Sequence, residues 1–233
     1  MFFIVTGLLI AIVGIVIARQ LILRDLAQQR AAADRLAFVA LSQDVDSMIA
    51  RQAHSRDYFE QRADAAAKSV RSLQACQLAQ DDTDDFSDLL INFSVMAPLP
   101  VISSGYEAAV HSGALTRLSN TELRVAISDL MAGAEYAGAQ VKNFSADLGR
   151  ASEIVAERVA YALEPEDGAA GSWQRHRFSV AYDFESLCAD TEFRNAMVEL
   201  LDSSLDRLSV QDWFDADLQT ASTLLDEYLG PDE

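Results

Sequence analysis

The first eighteen residues, Met1 to Ala18 (MFFIVTGLLIAIVGIVIA), hold no charge and one ordinary polar side chain, Thr6. A chain carrying such a stretch must bury it in lipid or lose it. A hydrocarbon core of about 30 Å takes about 20 mostly apolar helical residues, and Phe2 to Leu23 supplies 22. Arg19 lies near the end of this run, where a long cationic stem can reach the headgroups. A cleaved signal peptide is the competing reading, with Val16-x-Ala18 as its small-residue site. No basic region precedes the apolar run, however, so residues 1–23 read as a transmembrane anchor. Gly7, Ala11, Gly14 and Ala18 fall on one helix face, and small residues on one face let helices approach closely in lipid. The plainer reading is that Gly and Ala are simply common in membrane helices.

The side of the membrane taken by the rest is contested. Arg19, Arg24, Arg30 and Arg35 follow the span, and the positive-inside tendency then places the body in the cytoplasm. Charge is unevenly divided. Residues 19–80 have a net charge of +2 and residues 81–233 a net charge of −20. An acidic body repels phosphate backbones, which argues against nucleic acid as a partner, and it is repelled by anionic lipid as well. Half of the residues are apolar, enough for a folded core.

Between Gly14 and Pro98 there is no Gly or Pro. Leu41, Val45, Met48 and Ile49, then Phe59, Ala63, Ala66, Val70 and Leu73, keep a three-four spacing. This predicts a long amphipathic helix continuing from the span to about residue 79. Polar positions break its seam, so it is expected to pack on later helices of the same chain. Asp81-Asp82-Thr83-Asp84-Asp85 opens a short helix over 84–95, where acidic residues and Thr cap amides and suit the dipole. The alternating ligands, central Gly and late Glu of a calcium loop are missing. After Pro98-Leu99-Pro100, Ser103 or Ser104 caps a helix through His111, closed by Gly113. Ser119-x-x-Glu122 reads as a capping box. Leu123, Ile127, Leu130, Ala134, Ala137, Val141, Phe144, Leu148, Ala151 and Val155 then alternate four and three, predicting a helix that ends before Pro165. Residues 164–176 read as a loop and 178–182 as a short extended run. Asp190 is placed to cap a helix carrying Phe193, Met197, Leu201, Leu205 and Leu208. Phe214, Leu218, Ala221, Leu225 and Tyr228 are out of phase with it, predicting a break near 209–212, and Gly230-Pro231 ends the structure. The expected organisation is an anchor (1–23), a stalk helix (24–80) and an acidic helical domain packed on that helix (81–230). The expected fold class is mainly α, a transmembrane helix continuing into a long helix within an antiparallel bundle.

Tyr106, Ser112-Gly113, Leu115 and Asn120-Thr121-Glu122-Leu123-Arg124 resemble a pattern in uncharacterised bacterial single-span membrane proteins. Leu187-Cys188-Ala189-Asp190-x-x-Phe193-Arg194-Asn195 resembles a stretch of their proteobacterial members. The resemblance covers nearly the whole chain in order. It implies a helical domain of unknown function at the bacterial inner membrane and transfers no catalytic residue.

Cys76 and Cys188 are the two cysteines. In an oxidising periplasm they make one disulfide; in a cytoplasmic bundle they are two buried thiols. The resemblance, and the place of Cys188 beside a helix start, favour the bond and with it a periplasmic body. His54, His111 and His176 have no metal-spaced companion, and neither a nucleophile elbow nor a phosphate loop is present. No cofactor, metal or catalytic group is therefore expected. Trp173, Arg175, His176 and Arg177 form the basic-aromatic cluster of the acidic body, suited to an anion or a partner's acidic face. The plainer reading is a loop packed down by Trp173, with the arginines neutralising nearby carboxylates. The functional expectation is a membrane-anchored structural or protein-interaction module, its partners the bilayer and a further copy or another envelope protein. The alternative is a ligand-sensing bundle that signals through a separate partner.

Overall fold

The structure, a computed structural model, describes the backbone of residues 2–98, 104–165 and 176–230 and the side chains of 17–98, 104–162 and 178–230. The described residues form seven α-helices, a 3-10 turn and one hairpin, so the mainly helical expectation holds. The helices are α1 (Phe2–Ala75), α2 (Thr83–Ile91), α3 (Ser104–His111), α4 (Ala114–Arg117), α5 (Thr121–Arg158), α6 (Phe184–Ala189) and α7 (Thr191–Leu229). Strands β1 (Ala160–Pro165) and β2 (His176–Ala181) pair antiparallel, from Ala160 opposite Ala181 to Pro165 opposite His176. Among the described residues no helix is long and apolar enough to cross a membrane. Most of the expected anchor, including Gly7, Ala11 and Gly14, lies outside the described side chains, and Ala18 is exposed.

Two compact units divide the chain. The first comprises Met1–Ser47, Ile102–Ile127 and Thr220–Glu233. Its core gathers Phe38, Leu41 and Val45 of α1, Ala109 of α3, Leu123 and Ile127 of α5, and Ala221 and Leu225 of α7. Phe38 meets the Tyr228 ring edge to face at 5.2 Å. Glycine at 105 is required because α3 crosses α1 closely: a Cβ there would stand 2.5 Å from the Leu41 backbone. The expected serine cap of α3 is supplied differently, since Asp44 of α1 accepts from the Gly105 amide at 2.6 Å and from the Ser104 hydroxyl. Gly113 takes a left-handed φ of 73° after α3, as expected of its closing residue. At the head of α5 the cap is Asn120, whose Oδ1 accepts from the Leu123 amide at 3.1 Å. The box expected from Ser119 and Glu122 does not form because the helix begins one residue later.

The second unit comprises Met48–Val101 and Ser128–Gln219. Phe86, Leu89 and Leu90 of α2, Leu148, Ala151 and Val155 of α5, and Phe193, Met197 and Leu200 of α7 join Ala66 and Leu73 of α1 in one apolar cluster. Asp190 caps α7 as expected, accepting from the Glu192 and Phe193 amides at 2.8 and 3.0 Å. Asp82 precedes α2 in right-handed helical geometry and makes no side-chain cap bond. The acidic run therefore suits the dipole of α2 with Asp84 and Asp85 in the first turn, and Asp85 also pairs with Lys68 of α1 at 3.7 Å.

Two sequence expectations are corrected in this unit. Residues 160–165 are not the end of a helix but strand β1. The α5 helix stops at Arg158, whose guanidinium is held by Asp190 and Glu192, and Tyr161 donates its hydroxyl proton to the Leu90 carbonyl at 3.1 Å. Second, α7 has no break near residue 210. Its buried positions include an unbroken four-three series, 193, 197, 200, 204, 207, 211, 214 and 218, while Leu205 is exposed. The seam is continuous but passes through Ser204, Arg207 and Gln211.

Candidate functional site

A disulfide joins two elements distant in sequence. The α1 helix ends with Cys76 in the left-handed region, φ 51°. Its amide donates to the Leu73 carbonyl and the Gln77 amide to the Ser72 carbonyl, the paired bonds that close a helix through a left-handed residue. Glycine is the usual occupant of that position; here a cysteine takes it and is bonded to Cys188 of α6. The two Cα atoms are 5.4 Å apart, across a sequence separation of 112. Cys188 is buried in the apolar cluster.

The polar positions of α1 and α7 form a second constellation. Between Ile49 and Phe59 the α1 seam carries Gln52 and Ser55; on α7 the corresponding interruption is Arg207 and Gln211. Arg207 is fully buried. It donates to Gln211 Oε1 at 3.1 Å and to Ser55 Oγ at 3.3 Å, and its guanidinium carbon stands 4.9 Å from the centre of the Phe59 ring. Gln211 in turn donates to the Gln52 carbonyl at 2.5 Å. Burial lowers the Arg207 pKa to about 10, opposed by the charge of Asp215, so the group stays protonated at neutral pH. The Gln52 side-chain amide and Arg207 Nε have no hydrogen-bond partner among the described residues. Arg56 pairs with Glu60, Asp212 and Asp215 beside this layer.

A second buried cation closes α2. Arg62 donates to the Asn92 and Phe93 carbonyls at 2.8 and 2.5 Å and to the Tyr58 hydroxyl at 3.2 Å. Burial lowers its pKa. Chemically, none of these groups pairs a nucleophile with a base; they hold backbone carbonyls and helices in place. In the sequence only the α1 interruptions stood out; Arg207 and Gln211 fall where the α7 pattern changes phase, and that change was their one signal.

Small grooves line the surface of the second unit. One of about 230 Å³ lies among Tyr58, Gln61, Arg62, Asp85, Asp88 and Asn92, and one of about 260 Å³ among Val70, Leu73, Gln74, Arg194, Asn195 and Val198. No group of three or more His, Cys, Asp or Glu among the described residues could hold a metal ion. His54 and His111 are exposed and apart in sequence. Of the basic-aromatic cluster, Trp173 and Arg175 lie outside the described residues; the His176 and Arg177 backbones belong to β2, and their side chains lie outside as well. Comparison with known protein families, with curated proteins and with solved structures finds no match.

Proposed function

We propose that the chain is a single-pass, membrane-anchored helical module that binds other proteins of the bacterial envelope, its disulfide-bonded body facing the periplasm. One observation carries this reading. The α1 helix is uninterrupted from Phe2 to Ala75, and Ile17, Leu21, Ile22 and Leu23 are 52–61 % exposed. Four neighbouring apolar side chains spread around a helix, at the end of an uncharged apolar run and just beyond it, suit lipid and not water. The disulfide supports an oxidising compartment, and the family resemblance supports the same address. The long buried seams support a scaffold in place of a reaction site.

Fractionation tests it. The full chain is expected in the membrane fraction after alkaline carbonate washing, and deletion of residues 2–23 is expected to release it. Impermeant maleimide is expected to label Cys76 and Cys188 in spheroplasts only after reduction. Carbonate extraction of the full chain, or labelling without reduction and only after lysis, would overturn the anchor or the periplasmic address respectively.

A further inference from the structure

Tyr136 on α5 and Trp213 on α7 are 56 % and 47 % exposed. Their rings meet edge to face, centroids 5.6 Å apart and planes at 78°. Gly133 makes room for this arrangement: a Cβ there would stand 3.4 Å from the indole and 2.8 Å from Asp217 Oδ2. The Asp217 carboxylate therefore sits against the α5 backbone beside the indole. It follows Trp213 by one turn of α7, and Asp129 precedes Gly133 by one turn of α5. Burial and the like charge of Asp129 both raise the Asp217 pKa, and no cation contributes. Two aromatic walls near a right angle, with a partly buried carboxylate between the helices that carry them, form a corner on the surface. Ring faces attract a cation electrostatically, and a carboxylate gives it a charge-assisted hydrogen bond. Exposed Trp and Tyr are also typical anchors of protein interfaces.

We propose that Tyr136, Trp213, Asp129 and Asp217 form a docking corner for an arginine side chain on a basic segment of a partner protein. The inference rests on the reading of the chain as an interaction module and names the chemistry of its partner. The net charge of −20 over residues 81–233 draws such a segment in. Arginine suits the corner better than lysine because its planar, weakly hydrated guanidinium stacks on a ring while its N–H groups reach a carboxylate.

The test uses the full chain in a maltoside detergent, which offers no competing cation, at about 150 mM salt to screen diffuse attraction. Trp173→Phe leaves Trp213 as the sole tryptophan. A Gly-Arg repeat peptide, its citrulline counterpart and choline are titrated while Trp213 emission is followed. The arginine peptide is expected to give a saturable change and to bind at least about tenfold more tightly than the citrulline peptide, as loss of one desolvated cation contact implies. Tyr136→Ala and Asp217→Asn should each weaken it about fivefold or more. Glu153→Gln removes the same charge elsewhere on α5 and should leave the affinity unchanged. The proposal falls if no saturable change appears, if Glu153→Gln weakens binding as much as Asp217→Asn, or if choline binds more tightly than the peptide, which marks a lipid-headgroup site. A chain that keeps its crosslinked envelope partners after Tyr136→Ala and Asp217→Asn loses this corner but not the interaction-module reading.

Discussion

The second unit holds two kinds of interior side by side. Around Phe86, Phe193, Met197 and Leu200 the contacts are apolar and non-directional, and Cys76–Cys188 ties the cluster shut. Around Arg207 the same seam of α7 buries a cation, two glutamines and serines, held by a few directional bonds. Burial of apolar surface stabilises in proportion to area. A buried cation is stabilising only relative to the same cation left unpaired, because its desolvation offsets most of the gain. The apolar cluster therefore supplies stability, and the polar layer supplies a preferred alignment.

The largest effects should come from the apolar side. Phe193→Ala, which empties a fully buried ring position, should cost about 3–5 kcal/mol in denaturant unfolding. Replacing both Cys76 and Cys188 by serine should cost about 4–5 kcal/mol on the chain-entropy account of a loop this long. The polar layer should behave asymmetrically. Gln211→Ala alone, which strips Arg207 of an acceptor, should cost about 1–3 kcal/mol, whereas Gln52→Leu with Arg207→Met and Gln211→Leu together should be neutral or more stable by up to about 4 kcal/mol. A triple variant as damaged as Phe193→Ala would erase the distinction between the two interiors.

The smallest effect concerns the start of α7. The Phe193 amide first, then Arg158, hold the Asp190 carboxyl below its ordinary value of 3.8. A depressed carboxyl contributes stability that is complete above the unfolded pKa and is lost as pH falls through the folded one. Melting temperature should accordingly fall below pH 3.8 in the parent chain. That part of the fall should be missing in Asp190→Asn, which keeps the cap oxygen but not the charge.

These contrasts also mark what was legible in the sequence. The α5 seam from Leu123 to Val155 and the Asp190 cap could be read because periodicity and capping are local signals. The cysteine pair was legible as two alternatives, which only the 5.4 Å approach of its Cα atoms decides. Strand β1 was not readable, since Val155 and Val159 carry the helical seam up to its first residues and the reversal depends on β2, whose paired residues lie eleven to twenty-one positions away. The continuity of α7 was hidden because hydropathy assigns Arg207 and Gln211 to the surface; their burial needs acceptors on α1. Caps supplied from another element, as Asp44 supplies α3, leave no trace at the helix they serve. The docking corner was equally invisible, because Tyr136 and Trp213 meet only when α5 lies against α7.

The pairing of Ser55 with Arg207 and of Gln52 with Gln211 has a consequence for assembly errors. Within the second unit α1 and α7 run antiparallel, and a seam with a heptad rhythm can in general re-engage after sliding by seven residues. Sliding one way would bring Arg207 to Met48, fully buried among apolar side chains; sliding the other way would bring it to Arg62, a second buried cation. One slip strands a charge in hydrocarbon and the other sets two like charges together. A chain mispaired by one heptad would thus be penalised in both directions at a single residue, Arg207.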